Sequence, residues 1–267
     1  MNPAVVVTTY NRPDALAAVL EGYVAQSDRD FELVIADDGS DKRTAGVIES
    51  FKGKLQIKHV WQEDRGFRAA AARNRAVAAT GAEYIIFTDG DCVPATGFVA
   101  AHKRLAERGW FLAGNRILLS ERLTKRVLAE RLPVHAWDWK RWVSERTSGD
   151  VNRLVPLLRL PDGRFRRAQP RRWEGAKTCN LSVWREALVR VNGLDETYEG
   201  WGLEDSDLVI RLLHAGERHK NARFATPLFH LWHAEQPRDA LGRNAARLEK
   251  ILRSDRLRAE RGLDQYS

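Results

Sequence analysis

Four short apolar, β-rich runs separated by helical stretches constrain the first half of this chain more than any other feature. Ala4-Val5-Val6-Val7-Thr8 comes first, followed by a helical pattern from Pro13 to Ala25 with Leu16, Val19, Leu20 and Tyr23 on one face. Pro13 suits a first helical turn, where its missing N–H costs nothing. Phe31–Ala36 and Leu55–Trp61 read as further strands, Gly66–Ala79 as an alanine-rich helix, and Glu83–Phe87 as a fourth strand. Strand alternating with helix implies an α/β fold: a mostly parallel central sheet with helices on both faces. Ligands of such sheets bind beyond the carboxyl ends of the strands. Three of these runs close there on polar sequence, Thr9-Tyr10-Asn11-Arg12, Asp37-Asp38-Gly39-Ser40 and Asp89-Gly90-Asp91.

The pattern weakens after Leu118. Residues 119–172 read as a basic, Arg/Trp-rich insertion of helices and loops between a first half (1–118) and a third segment (173–236). In that third segment Asn180–Trp184 restores order, a helix runs to Val191, Asn192-Gly193 turns the chain, and a further helix begins near Glu204. Residues 237–262 are charged and strongly helical in pattern, so 237–267 reads as a C-terminal helical brace.

Charge sharpens the division. The chain carries 44 Lys+Arg against 36 Asp+Glu, a net +8, and residues 121–173 alone hold 14 basic and 6 acidic side chains. A local basic field suits an anionic partner such as a lipid surface or a phosphorylated glycan. No recognised nucleic-acid module accompanies it, so nucleic acid is not an expected partner. No apolar run is long enough to span a bilayer, and no signal peptide is visible. Cys92 and Cys179 stand far apart in no metal-like spacing. The expectation is a reduced, cytoplasmic protein, peripheral at most on the inner face of the membrane.

Asp89-Gly90-Asp91 at the end of an apolar strand places two carboxylates around one glycine. A hard divalent cation seeks such oxygen ligands, with a diphosphate to share them. Gly90 would let the backbone approach the metal or phosphates. Taken with Thr8-Thr9-Tyr10-Asn11-Arg12, Ala36-Asp37-Asp38-Gly39-Ser40 and Ala72-Arg73-Asn74-Arg75-Ala76, the first 115 residues resemble the family 2 glycosyltransferases of the GT-A fold. That resemblance implies that Thr8, Tyr10 and Arg12 line a nucleotide pocket. It implies that Asp37 or Asp38 contacts the uracil or ribose, that Arg65 and Asn74 approach the base and donor, that Asp89 meets the ribose or donor sugar, and that Asp91 binds the metal.

Gly200-Trp201-Gly202-Leu203-Glu204-Asp205-Ser206-Asp207 resembles the acidic motif of β-galactosyltransferases and chondroitin-polymerase-type enzymes, with Leu203 and Ser206 where relatives often carry a glycine and a third acid. The resemblance makes Asp205 the catalytic base and Glu204 its acceptor- or donor-binding neighbour. An attacking hydroxyl needs such a base, and a helix N-terminus keeps a carboxylate ionised. In the same relatives a late segment returns to the metal. Here His233 is the expected ligand and His230, three positions earlier, a second; imidazoles beside Asp91 favour Mn²⁺ over Mg²⁺. Asn180 would reach a donor-sugar hydroxyl. Trp201, beside Gly202, either stacks on an acceptor ring or packs in the core.

The sequence therefore points to an inverting, metal-dependent transferase. It would move a sugar from a UDP-sugar to a glycan or lipid-linked glycan, in bacterial surface polysaccharide or lipopolysaccharide synthesis. Two alternatives stand beside it: a nucleotidyltransferase making nucleotide sugars, and a non-catalytic protein binding anionic polymers.

Overall fold

The computed structural model describes residues 1–235 and 238–266. Its centre is a mostly parallel seven-stranded sheet formed by β1 (Ala4–Thr9), β2 (Glu32–Asp37), β3 (Ile57–Trp61), β4 (Tyr84–Asp89), β6 (Trp110–Ala113), β8 (Asn180–Trp184) and β9 (Arg218–Asn221). They lie in the order β3-β2-β1-β4-β8-β6-β9. The first four pair in parallel, as their apolar runs and intervening helices require. β8 enters antiparallel to β4 and β6. The helices α1 (Pro13–Val24), α2 (Lys42–Phe51) and α3 (Ala69–Ala78) connect the parallel strands.

A second sheet, β5-β10-β7, joins β5 (Cys92–Pro94), β10 (Leu228–His230) and β7 (Arg116–Leu118). β10 runs antiparallel to β5 with His230 opposite Cys92. This register brings the late histidines back to the end of β4.

Two apolar layers flank the main sheet. One contains Val5, Leu16, Tyr23, Ile35 and Ile86, and the other Val6, Val34, Phe87, Leu181 and Leu208. Helices α5 (Glu121–Glu130) and α6 (Trp139–Thr147) pack onto the first layer through Leu123, Val127 and Trp142, whose ring stacks on Phe229 at 4.4 Å. The helix α4 (Phe98–Leu105) contributes His102 to a buried polar cluster beneath the sheet. There His102 Nδ1 meets Ser182 Oγ at 2.7 Å, Tyr84 Oη meets the same hydroxyl at 2.8 Å, and His102 Nε2 meets Asn180 Oδ1 at 3.2 Å. Burial lowers the His102 pKa to about 3, so the ring is neutral and polar atoms pair without a buried charge.

Two helix boundaries differ from the sequence expectation. α3 begins at Ala69, not Gly66, because Gly66 adopts φ +82° and the Arg68 N–H is taken by Asp38 Oδ2 at 2.7 Å. The C-terminal brace is the helix α9 (Leu241–Leu252), shorter than 237–262; Pro237 and Ser267 fall outside the described residues. Beyond Arg253 the chain is drawn off helix. Buried Asp195 accepts from the Glu260 N–H at 3.1 Å and from Arg256 Nη2 at 3.0 Å.

Candidate active site

The ends of β1 and β4 meet the N-terminus of the helix α8 (Glu204–His214) around one guanidinium. Arg73, on α3, is 5% exposed. Its Nε donates to Thr8 Oγ1 at 2.9 Å, Nη2 to Asp89 Oδ1 at 3.0 Å and Nη1 to Glu204 Oε1 at 3.2 Å, with Asp205 Oδ1 at 3.9 Å. Burial opposes the charge of Arg73, but Asp89, Asp205 and Glu204 outweigh it and raise its pKa. Burial likewise raises the Asp89 carboxyl, with Arg73 pulling it down and Asp91 and Asp205 pushing it up. Burial, then the Asp205 charge, raises Glu204 to about 7 against Arg73. Asp205 stays partly exposed, and its Oδ1 accepts from Thr178 Oγ1 at 2.5 Å. Arg73 and Asn74 stand in the same Ala-Arg-Asn-Arg run, and nothing in that run distinguishes the one that reaches the site.

A few residues along, Asp91 faces both late histidines. His230 Nε2 lies 3.7 Å from Asp91 Oδ1 and His233 Nε2 3.3 Å from Oδ2. The Leu231 N–H donates to the Asp91 carbonyl at 2.9 Å and fixes this approach. Burial lowers the His230 pKa to about 4 despite Asp91, leaving the imidazole neutral with a lone pair to offer. His233 Nδ1 donates to the Ala234 carbonyl at 2.7 Å. In the neutral ring that leaves Nε2 without a hydrogen, so a lone pair faces a carboxylate. This arrangement fits a cation between them, and a carbonyl holding the distal N–H is the usual support of a metal-binding histidine. The Cys92 Sγ joins the group, with donor atoms of Asp91, Cys92 and His230 within 4.8 Å of one another. Its thiol pKa is raised well above normal by a hydrogen bond with Cys179 and by burial, so the two cysteines, distant in sequence, are neighbours in space. The only sequence signal for Cys92 was its place next to Asp91. The residues therefore fit a divalent metal: Asp91, His230 and His233 would hold it, with Cys92 adjacent.

Tyr10 is 45% exposed and donates to Asp64 Oδ2 at 2.9 Å, leaving its ring open to stack. Arg12 Nη1 is buried without a hydrogen-bond partner among the described residues and lies 4.0 Å from Asp91 Oδ2, available to an anionic oxygen. Trp201 is partly exposed beneath the Arg238 guanidinium at 5.4 Å. Gly202 takes φ +106°, and its carbonyl accepts from Asn244 Nδ2 on α9 at 3.0 Å. Leu203 itself sits at φ +77°, a conformation that disfavours a branched side chain.

Asn74 and Asn180 do not stand where the resemblance put them. Asn74 is fully buried and clamps α3 to the 194–196 strap, donating to the Leu194 carbonyl and Glu196 Oε1 and accepting from the Leu194 N–H. Asn180 is buried too, bonded to Thr226, His102 and the Asn115 carbonyl, so it supports the sheet and does not face a donor. Asp37 spends its oxygens on the Ser40 N–H and His59. That leaves Asp38 of the pair, itself 3% exposed; it accepts from Gln62 and the Arg68 N–H, and burial raises its pKa. Arg65 pairs with Glu63 on the exposed loop whose Asp64 accepts from Tyr10. Gly90 brings the backbone close to β1: a Cβ there would lie 2.9 Å from Thr9 Oγ1 and 3.1 Å from the Thr8 carbonyl.

Comparison with known proteins bears on the family and the fold. The model of glycosyl transferase family 2 matches residues 4–154, and that described as the N-terminal domain of galactosyltransferase matches residues 167–234. The chain belongs to glycosyl transferase family 2. Its fold is that of the GT-A glycosyltransferases. It is 30% identical over 227 residues to validoxylamine A glucosyltransferase of Streptomyces hygroscopicus subsp. limoneus, covering 78% of this chain and 47% of that protein. The chain spans about half the length of the first curated relatives it matches. Staphylococcus aureus TarS 1-349 in complex with UDP superposes with a TM-score of 0.63 at 14% identity, covering 100% of this chain and 68% of that one. The mannosyltransferase PcManGT of Pyrobaculum calidifontis, in complex with GDP-Man and Mn²⁺, gives 0.63 at 20% identity, covering 95% and 64%.

Proposed function

We propose that this glycosyltransferase moves a hexose from a UDP-sugar to a hydroxyl of a glycan acceptor with inversion. In this reading it depends on a divalent metal, Mn²⁺ in preference to Mg²⁺, and serves bacterial surface polysaccharide or lipopolysaccharide synthesis. The observation that carries it is the meeting of Asp91, His230 and His233 beside a cluster in which Arg73 ties Asp89 to the N-terminal acids of α8. A cation held by Asp91 and the histidines would neutralise charge on the leaving diphosphate. The open ring of Tyr10 offers a base-stacking face, and Arg12 offers its guanidinium to a phosphate oxygen. Asp205 Oδ accepts the proton of the attacking acceptor hydroxyl, with Thr178 holding the carboxylate in place. Arg73 keeps Glu204 and Asp89 from repelling that base. Trp201, on the loop leading into α8, supplies a flat face for an acceptor ring. With Asp205 as base no covalent intermediate is needed, so in this reading the displacement is single and inverts the anomeric centre.

The test is nucleotide release from a panel of UDP-, GDP-, CMP- and dTDP-sugars with Mn²⁺ or with EDTA, followed by thermal stabilisation by UDP with Mn²⁺. Mn²⁺-dependent release from a UDP-sugar, absent in Asp91→Ala, is expected. Release unaffected by EDTA, or no donor turnover together with no stabilisation by UDP, would overturn the proposal.

A further inference from the structure

The basic segment is two different surfaces. Residues 121–152 hold seven basic and five acidic side chains, and their charges neutralise one another: Arg122 pairs with Asp150, Lys125 with Glu121, and Arg126 and Arg141 with Glu145. Residues 153–173 hold seven basic side chains and one acid, Asp162, which is taken by Lys220 and Arg167. Arg153, Arg159, Arg164 and Arg171 are exposed and have no carboxylate partner among the described residues. Among them stand Val155, Leu158, Leu160 and Phe165, each 41–58% exposed. Scattered apolar residues on a surface are ordinary; four within eleven residues, interleaved with unpaired arginines, are not.

The loop is also held rigid. Arg166, 1% exposed, donates to the carbonyls of Leu160, Pro161, Asn221 and Arg223 at 2.6–2.9 Å, and the Leu160 N–H donates to the Phe224 carbonyl at 2.9 Å. The outward side chains are thus displayed from a pinned backbone and cannot fold back into the core. The pin is the stretch between β9 and β10, which continues into the arm bearing His230 and His233.

We propose that the 153–171 loop docks this protein on an anionic phospholipid bilayer. Leu158, Leu160 and Phe165 would enter the headgroup boundary while the arginines meet lipid phosphates. The charge favours that occupant: lipid phosphates attract guanidiniums that no carboxylate neutralises, whereas a second copy of this surface would repel them. The edge of the catalytic domain that carries the metal arm would then be tethered to the membrane surface, where a lipid-linked acceptor would be met. This goes beyond the transfer reaction, and its failure would leave that reaction untouched.

The test is flotation of the whole chain with vesicles of phosphatidylglycerol mixed with phosphatidylcholine, against pure phosphatidylcholine, at low salt. Binding to the anionic vesicles alone is expected, and each guanidinium removed should weaken it about fivefold. The variants are Arg159→Gln with Arg164→Gln, and Leu158→Ser with Leu160→Ser and Phe165→Ser. All these positions are exposed and outside the catalytic cluster, so circular dichroism and UDP-dependent thermal stabilisation should stay at wild-type values while flotation falls at least tenfold. No flotation of the wild type, flotation undiminished in both variants, or equal binding to neutral vesicles would overturn the proposal. So would a self-associated wild type that becomes monomeric in the serine variant without any change in lipid binding.

Discussion

Replacing Arg73 by methionine tests the central electrostatic argument. Methionine keeps most of the buried stem and removes the charge. Asp89 and Glu204 then lose contacts of 3.0 and 3.2 Å. The two losses are unequal. The Asp89 side chain is 27% exposed, so water replaces part of what it loses; the Glu204 side chain is 9% exposed and is left largely dry. Breaking a buried pair costs about 3–5 kcal/mol, and most of that should come from Glu204. The loss should depend on pH. The folded pKa of Glu204 is already raised to about 7 in the presence of Arg73. A carboxyl raised above its unfolded value favours folding below that unfolded value, near 4.5, and loses this contribution as pH rises through the folded pKa. Without Arg73 the folded pKa rises further, so the variant's deficit should be largest above pH 7 and shrink toward pH 5, where Glu204 is mostly protonated in both proteins. Guanidinium unfolding at pH 5 and pH 8 measures this. A deficit below about 1 kcal/mol at pH 8, or one equal at both pH values, would refute the reasoning.

Asp205→Asn should lower kcat by about 10²–10⁴-fold and leave donor KM within a few-fold, because only the proton acceptor is lost; steady-state kinetics with an identified acceptor reads this. Stability should fall as pH drops from 6.5 toward 3, because unfolded His102 takes a proton that the folded ring refuses down to about 3; His102→Gln should remove about 1.4 kcal/mol per pH unit of that slope in denaturant titrations between pH 4 and 6. Gly90→Ala should cost about 1–3 kcal/mol in thermal or denaturant unfolding, because its Cβ collides with Thr9 on β1; an unchanged melting temperature would show that β1 and β4 are not as tightly apposed as described.

The parallel core was legible because apolar runs of strand length, each separated by a crossover, admit few other packings. Their polar ends marked the edge where the site lies. Asp91, His233, His230 and Asp205 were named through family resemblance; the geometry brings the first three together and sets Asp205 beside Arg73, which holds Asp89. The errors fall where sequence carries no phase. In Ala69–Ala78 the apolar residues are six alanines and one valine, so no apolar stripe says which side of α3 faces the sheet. Successive residues on a helix point about 100° apart, and that rotation sends Arg73 into the carboxylate cluster and Asn74 into the 194–196 strap. Asn180 reads as an exposed polar strand end until its pairing beneath Thr226 and His102 is seen. Cys92 and His230 meet only through the antiparallel register of β5 and β10. The sequence by itself determined which residue types stand at the ends of the strands, since burial of the apolar runs leaves them nowhere else to be. Tertiary structure alone decided which of those polar groups face one another, because helix rotation and strand register are set by long-range packing and not by local pattern.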